Sequence, residues 1–242
     1  MRWLVWSAVA AALSACTPTG KASQSLDIYV LIGQSNMVGK DVASPRFVHD
    51  DKIFVFDDGW RPGPLDEYAS PGMPFADAMV DANGRPVGLI QCAVGGTTMA
   101  QWQPSADPDS LYGACLETVR LAWAAGRVRG VLFWQGESNT ATEDMAREWP
   151  AGFAAVVAAL RDDVDDPDLP VVFAQIGPSL GEYDRPGWWL LQAVQRQFQA
   201  EGVAMITTLD LPLIPGDPVH VSAVGMLKAG QRFAEKMAGM VD

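Results

Sequence analysis

The apolar positions of this chain fall in short runs with few polar interruptions. Such runs occupy Ile28 to Ile32, Ile53 to Phe56, Val87 to Ala93, Val131 to Trp134, Val171 to Ile176 and Ala204 to Leu209. A strand with one wet face alternates apolar and polar residues, whereas a strand covered on both faces does not, so these runs predict buried strands. Between them the apolar residues return at helical spacing over Phe75 to Ala82, Leu111 to Ala125, Met145 to Val164, Trp188 to Glu201 and Ala223 to Met240. Strand and helix in alternation predict the α/β class: a three-layer α/β/α sandwich around a central parallel sheet, with right-handed connections. No internal repeat or linker interrupts the pattern, so residues 26–242 are expected to form one domain.

In sheets of this kind ligands bind beyond the carboxyl ends of the strands, and the residues that follow each strand therefore matter most. After the first run comes Gly33-Gln34-Ser35-Asn36-Met37. The third is followed by Gly95-Gly96-Thr97, the fourth by Gln135-Gly136-Glu137-Ser138, and the last by Asp210 and a proline-rich loop holding Asp217 and His220. Chemistry-bearing residues thus gather on one edge of the expected sheet.

A serine needs a base within hydrogen-bond reach to become a nucleophile, and the base needs a partner on its other ring nitrogen. The chain has two histidines. His49 lies in a polar connection and reads as a surface residue. His220 follows Asp217 by three residues and opens the last helix, on the loop expected opposite Ser35. Gly33 lets the chain turn sharply off its strand and show the Ser35 hydroxyl, although the G-x-S-x-G elbow is absent. Gly95-Gly96 is either a tight turn or a loop whose N–H groups stay open toward an oxyanion. No metal-ligand spacing, P-loop or dinucleotide fingerprint is present, so no cofactor is expected.

The formal net charge of −12 excludes the basic footprint that nucleic acid requires. At the N-terminus, MRWLVWSAVAAALSAC places an apolar run too short to span a bilayer before small residues and Cys16. Leu13-Ser14-Ala15-Cys16 resembles the bacterial lipobox, with Cys16 the lipidated residue. An ordinary signal peptide cleaved nearby is the alternative. Residues 1–16 are thus expected to direct export and 17–25 to form a polar tether, leaving the protein held at the periplasmic membrane or envelope by a lipid anchor. Cys92 and Cys115 either pair in an oxidising compartment or remain two buried thiols.

The four blocks, in order, resemble those of the SGNH hydrolase superfamily, and most closely its sialic-acid-specific acetylesterase and acetyl xylan esterase group, carbohydrate esterase family six. The resemblance implies a flavodoxin-like fold and a cofactor-free serine esterase that takes acetyl groups from a carbohydrate. It makes Ser35 the nucleophile, His220 the base and Asp217 its orienter, with Asp210 the competing aspartate. The oxyanion hole it implies is the Ser35 N–H, an N–H from Gly95 or Gly96, and the Gln135 side chain, where the wider superfamily has Asn. Trp102, Asn36 and Glu137 are expected beside the substrate, and Glu137 also as a brace for the loop that aims Gln135. The loops Asp57 to Pro74 and Gly177 to Gly187 are expected to wall a cleft, with Trp60, Trp102 and Trp188-Trp189 as possible faces for a sugar. A glycosidase built on Glu137 and an aspartate, or a non-catalytic glycan-binding lipoprotein, are the alternatives.

Overall fold

A computed structural model describes residues 25–41, 48, 50–63, 69–179 and 185–241. The lipobox-like segment with Cys16, nearly all of the expected tether, and His49 lie outside the described residues. Seven strands form one sheet: β1 (Leu26–Gly33), β2 (Ile53–Phe56), β3 (Trp60–Pro62), β4 (Val87–Gln91), β5 (Gly126–Trp134), β6 (Val171–Ala174) and β7 (Val203–Ile206). Their order is β3-β2-β4-β1-β5-β6-β7. All neighbours pair in parallel except β3, which returns antiparallel to β2. The run β4-β1-β5-β6-β7 has the flavodoxin-like order, with the β2–β3 hairpin added outside β4. Strand order reverses at β1, which has β4 on one side and β5 on the other, so its carboxyl end opens a crevice.

The helices are α1 (Ser35–Val38), α2 (Gly72–Asn83), α3 (Leu111–Ala122), α4 (Glu143–Asp163), α5 (Trp188–Gln197) and α6 (Ala223–Ala238). Successive side chains of β1 enter two different cores. Ile28, Val30 and Ile32 pack with residues of α3, α4 and α5. Tyr29 and Leu31 pack with residues of α2 and α6. Every residue of β1 is buried, which explains why its sequence lacks alternation. The first core is built on rings: Trp149 stacks on Phe153 at 4.9 Å, and Phe153 meets Phe133 at 4.8 Å and Phe173 at 5.1 Å. Ser110, Thr142 and Ser222 cap the starts of α3, α4 and α6 by accepting N–H groups of the first turn.

The sequence pattern does not predict β3. Three residues at a sheet edge are too few to show a period, and Pro62 is tolerated only because the edge needs no donor there. Trp60 is held at this edge and does not wall a cleft: its indole covers Gly88, where a Cβ would come within 2.5 Å of the ring, and its Nε1 donates to Ala122 O at 3.2 Å.

Cys92 and Cys115 are joined by a disulfide across 23 residues of chain, tying the end of β4 to α3. Cross-linking a loop of that length is worth about 3 kcal/mol through the unfolded ensemble. Replacing both cysteines by alanine is therefore expected to lower the unfolding free energy by about that amount, with a lower urea midpoint and a slope equal to or steeper than wild type because the freed unfolded chain is less compact, in an equilibrium unfolding titration.

Candidate active site

β1 ends at Gly33, where φ is +145° and a Cβ would lie 2.0 Å from Trp134 O. Only glycine can occupy this position, because β5 passes too close and the backbone has turned out of the range open to other residues. Ser35 then opens the single turn of α1, with its side chain over the end of the sheet. Its Oγ lies 3.0 Å from His220 Nε2. His220 Nδ1 lies 2.7 Å from Asp217 Oδ2, while Asp217 Oδ1 accepts the N–H groups of Val219 (2.9 Å) and His220 (2.8 Å). Burial opposes ionisation of Asp217, but those N–H groups and the imidazole outweigh it and hold the carboxyl down at about 2. An ionised Asp217 places the ring proton on Nδ1 and turns the Nε2 lone pair toward the Ser35 hydroxyl. Asp210 makes no contact with His220; it is exposed and pairs with Arg232 at 2.7 and 2.6 Å, which lowers its own carboxyl to about 2.

The loop after β4 passes beside Ser35, close enough that a Cβ on Gly95 would touch Ser35 Cβ at 3.9 Å. Gly96 has a φ of +76°, which favours glycine. Among the described residues no group accepts the N–H of Ser35, Gly95 or Gly96. Thr97 fastens this loop: its hydroxyl donates to Val94 O at 2.8 Å and accepts from Trp102 Nε1 at 3.0 Å. Trp102, expected to face the substrate, is fully enclosed and serves as this bolt.

Gln135 departs from expectation as well. It is fully buried, and its amide nitrogen lies 3.0 Å from Thr97 O and 2.7 Å from Asn139 Oδ1, while its oxygen accepts from Trp149 Nε1 at 2.8 Å. Its two amide hydrogens are shared among these two acceptors and Gln34 Oε1 at 3.3 Å, one of them bifurcated, leaving none for an oxyanion in this geometry. Asn36 is also enclosed. Its Nδ2 donates to Glu137 Oε1 at 2.6 Å and its Oδ1 accepts from Val221 N at 3.0 Å, so it ties the loops after β1 and β5 to the histidine loop.

Glu137 borders the cleft, yet its Oε2 is enclosed with no hydrogen-bond partner among the described residues. Burial pushes its pKa up, against the lowering effect of the Asn36 hydrogen bond. A carboxyl raised in the fold contributes stability that is fully present below its free value of about 4.3 and is lost as pH rises through the folded value. The wild type is therefore expected to lose melting temperature relative to Glu137→Gln as pH rises above about 4.3, measured by calorimetry in a series of buffers.

The cleft over Ser35 and His220 has a volume of about 770 Å³ and is also bordered by Gln34, Lys40, Met145 and Arg185. Lys40 Nζ lies 3.8 Å from Asp217 Oδ2. Sequence reasoning gave no role to Gln34, which lies inside the Gly33–Met37 block, or to Lys40, three residues beyond it. Arg185 falls within the loop expected to wall the cleft. Trp188 is buried with its Nε1 on Gly177 O at 3.1 Å, while Trp189 is exposed.

A serine, histidine and aspartate in hydrogen-bonded sequence at the switch point of a flavodoxin-like sheet point to a class, the carboxylic ester hydrolases. Residues 25–239 match the family described as carbohydrate esterase, sialic acid-specific acetylesterase, and the chain belongs to that family. A protein of Arabidopsis thaliana, named "Probable carbohydrate esterase", is 25% identical over 240 residues, covering 86% of this chain and 88% of its own. Its X-ray structure superposes with a TM-score of 0.77 at 23% identity, over 90% of this chain and all of the other. A carbohydrate acetylesterase of Xanthomonas citri gives a TM-score of 0.69 at 20% identity, over 89% of this chain and 56% of that one. NanS gives 0.64 at 16% identity, over 89% and 98%. These structural likenesses establish the fold; family membership makes the activity carbohydrate-ester hydrolysis.

Proposed function

We propose that this protein removes O-acetyl groups from a carbohydrate through an acetyl-enzyme. The observation that carries the reading is the continuous chain from Asp217 through His220 to Ser35. His220 Nε2 takes the proton as Ser35 Oγ bonds to the acetyl carbonyl carbon, and the charge moves to the carbonyl oxygen. The N–H groups of Ser35 and of Gly95 or Gly96 face that oxygen. The tetrahedral species breaks its bond to the sugar oxygen, which leaves with the proton from His220. Water then loses a proton to His220 as it attacks the acetyl carbon, and acetate departs as Ser35 Oγ recovers the proton.

Lys40 and Arg185 set two cations on the cleft wall of a chain whose net charge is −12. They favour an acidic sugar, such as an O-acetyl sialic acid, over a neutral acetylated xylan. Among the described residues the two-carboxylate glycosidase lacks a second carboxylate, since Asp217 serves His220 and Asp210 serves Arg232. Export with a lipid anchor on Cys16 belongs to the same proposal. The Cys92–Cys115 disulfide supports an oxidising compartment.

Acetate release from O-acetyl sialic acid and from acetylated xylan, alongside fluorophosphonate labelling, tests the reading. Wild type is expected to label and to prefer the acidic sugar. An active-site serine that neither labels nor releases acetate from either substrate sinks it.

A further inference from the structure

The oxyanion position vacated by Gln135 has another candidate one residue before the nucleophile. Gln34 is buried, with 3% of its surface exposed, yet it borders the cleft beside Ser35, Gly95 and Gly96. Its Oε1 accepts from Ser138 N at 3.2 Å, Gly136 N at 3.4 Å and Gln135 Nε2 at 3.3 Å. Two of these donors are backbone N–H groups, which can face only an oxygen, so the orientation of the amide is fixed by the fold. Its Nε2 hydrogens have no acceptor among the described residues. That nitrogen is also absent from the fully enclosed unpartnered atoms, so it reaches open space.

We infer that the Gln34 side-chain amide is the third donor to the oxyanion formed at Ser35, a catalytic role that rests on the esterase reading above. The physical case is preorganisation. Three donors clamp the oxygen end of the amide, so the nitrogen end is held ready before substrate arrives and little reorganisation opposes the reaction. Buried donors normally find a partner, and one left unpaired over a nucleophile is a group waiting for an acceptor. The developing alkoxide of the tetrahedral species is such an acceptor, and it is strongest when the barrier is crossed. The Ser35, Gly95 and Gly96 N–H groups, also without acceptors, border the same space.

Two variants separate this role from the clamp. Gln34→Glu keeps an oxygen for the Gly136 and Ser138 N–H groups but supplies no amide hydrogen. Gln34→Ala removes both ends and adds no charge. Steady-state kinetics on 4-nitrophenyl acetate and melting temperatures are measured for both beside wild type. The expected result is a kcat lowered about a hundredfold to a thousandfold in each variant, KM within about threefold of wild type, and a melting temperature lowered in both, by lost hydrogen bonds in Gln34→Ala and by a buried carboxyl in Gln34→Glu. The missing amide hydrogen is the one change the two variants share, so a loss of kcat in both is the result it predicts. A Gln34→Glu enzyme with kcat within about threefold of wild type overturns the inference, as does a loss carried by KM alone. Wild type inactive on every ester sinks the esterase reading as well, so the two failures are distinct.

Discussion

Ser35→Ala is expected to lower kcat for an acetyl ester by on the order of a millionfold, and His220→Ala by a similar factor. The effects should not add: once the hydroxyl is gone there is no nucleophile for the base to assist, and a serine without Nε2 3.0 Å from its Oγ stays protonated. A double variant should therefore be about as slow as either single one. What persists is the modest acceleration from the backbone N–H groups and substrate binding. The substitution should leave the fold intact, because the position needs only a residue that follows Gly33 into a helical turn. Measured acetate release, with circular dichroism as the folding control, reads both points. A Ser35→Ala enzyme that keeps a hundredth of wild-type turnover would falsify the nucleophile assignment.

The second large effect separates the two aspartates. Asp217→Asn is expected to lower kcat by on the order of ten-thousandfold, whereas Asp210→Asn should stay within about twofold. The cause is the tautomer. Asparagine retains an oxygen for the Val219 and His220 N–H groups, so the loop holds its shape. Its amide, however, presents hydrogens to Nδ1, which forces the ring proton onto Nε2 and points a hydrogen at the Ser35 hydroxyl instead of a lone pair. The same substitution changes acid stability in a defined direction. Because folding depresses the Asp217 pKa to about 2, its contribution is present above the free value of about 3.9 and is lost as pH falls through about 2. Asp217→Asn should flatten that part of the acid-unfolding curve. Full activity in Asp217→Asn together with a large loss in Asp210→Asn would reverse the assignment.

How much of this is legible in the sequence depends on how far a residue must reach for its partner. The buried strands are legible because burial on both faces removes polar residues from each run. The long helices are legible because their apolar faces recur over three or more turns. Strand β3 and helix α1 are not, since three or four residues show no period. Position along the sheet edge is legible too, which is why Ser35, Gly95, Glu137 and His220 are found together at the strand ends. Direction is not. Gln135 and Gln34 are both glutamines at a strand end, 101 residues apart and 3.3 Å from each other, yet the packing of Trp149 turns one inward and the loop N–H groups turn the other toward the cleft. Trp102 follows the same rule: its place in the block pattern is right, and its ring points into the core.

Sequence alone determined the alternation of buried strands and helices, the order of the four blocks at the strand ends, and from these the α/β class and the family. These are local properties, set by hydrophobic period and by spacing along the chain. Only the tertiary structure decided that Asp217 and not Asp210 meets His220, that Cys92 and Cys115 pair, that Gln135, Asn36 and Trp102 are scaffold, and that Gln34 opens to the cleft. Each is a contact or an orientation that depends on packing between segments distant along the chain, and no local pattern encodes which way a side chain must turn to satisfy it.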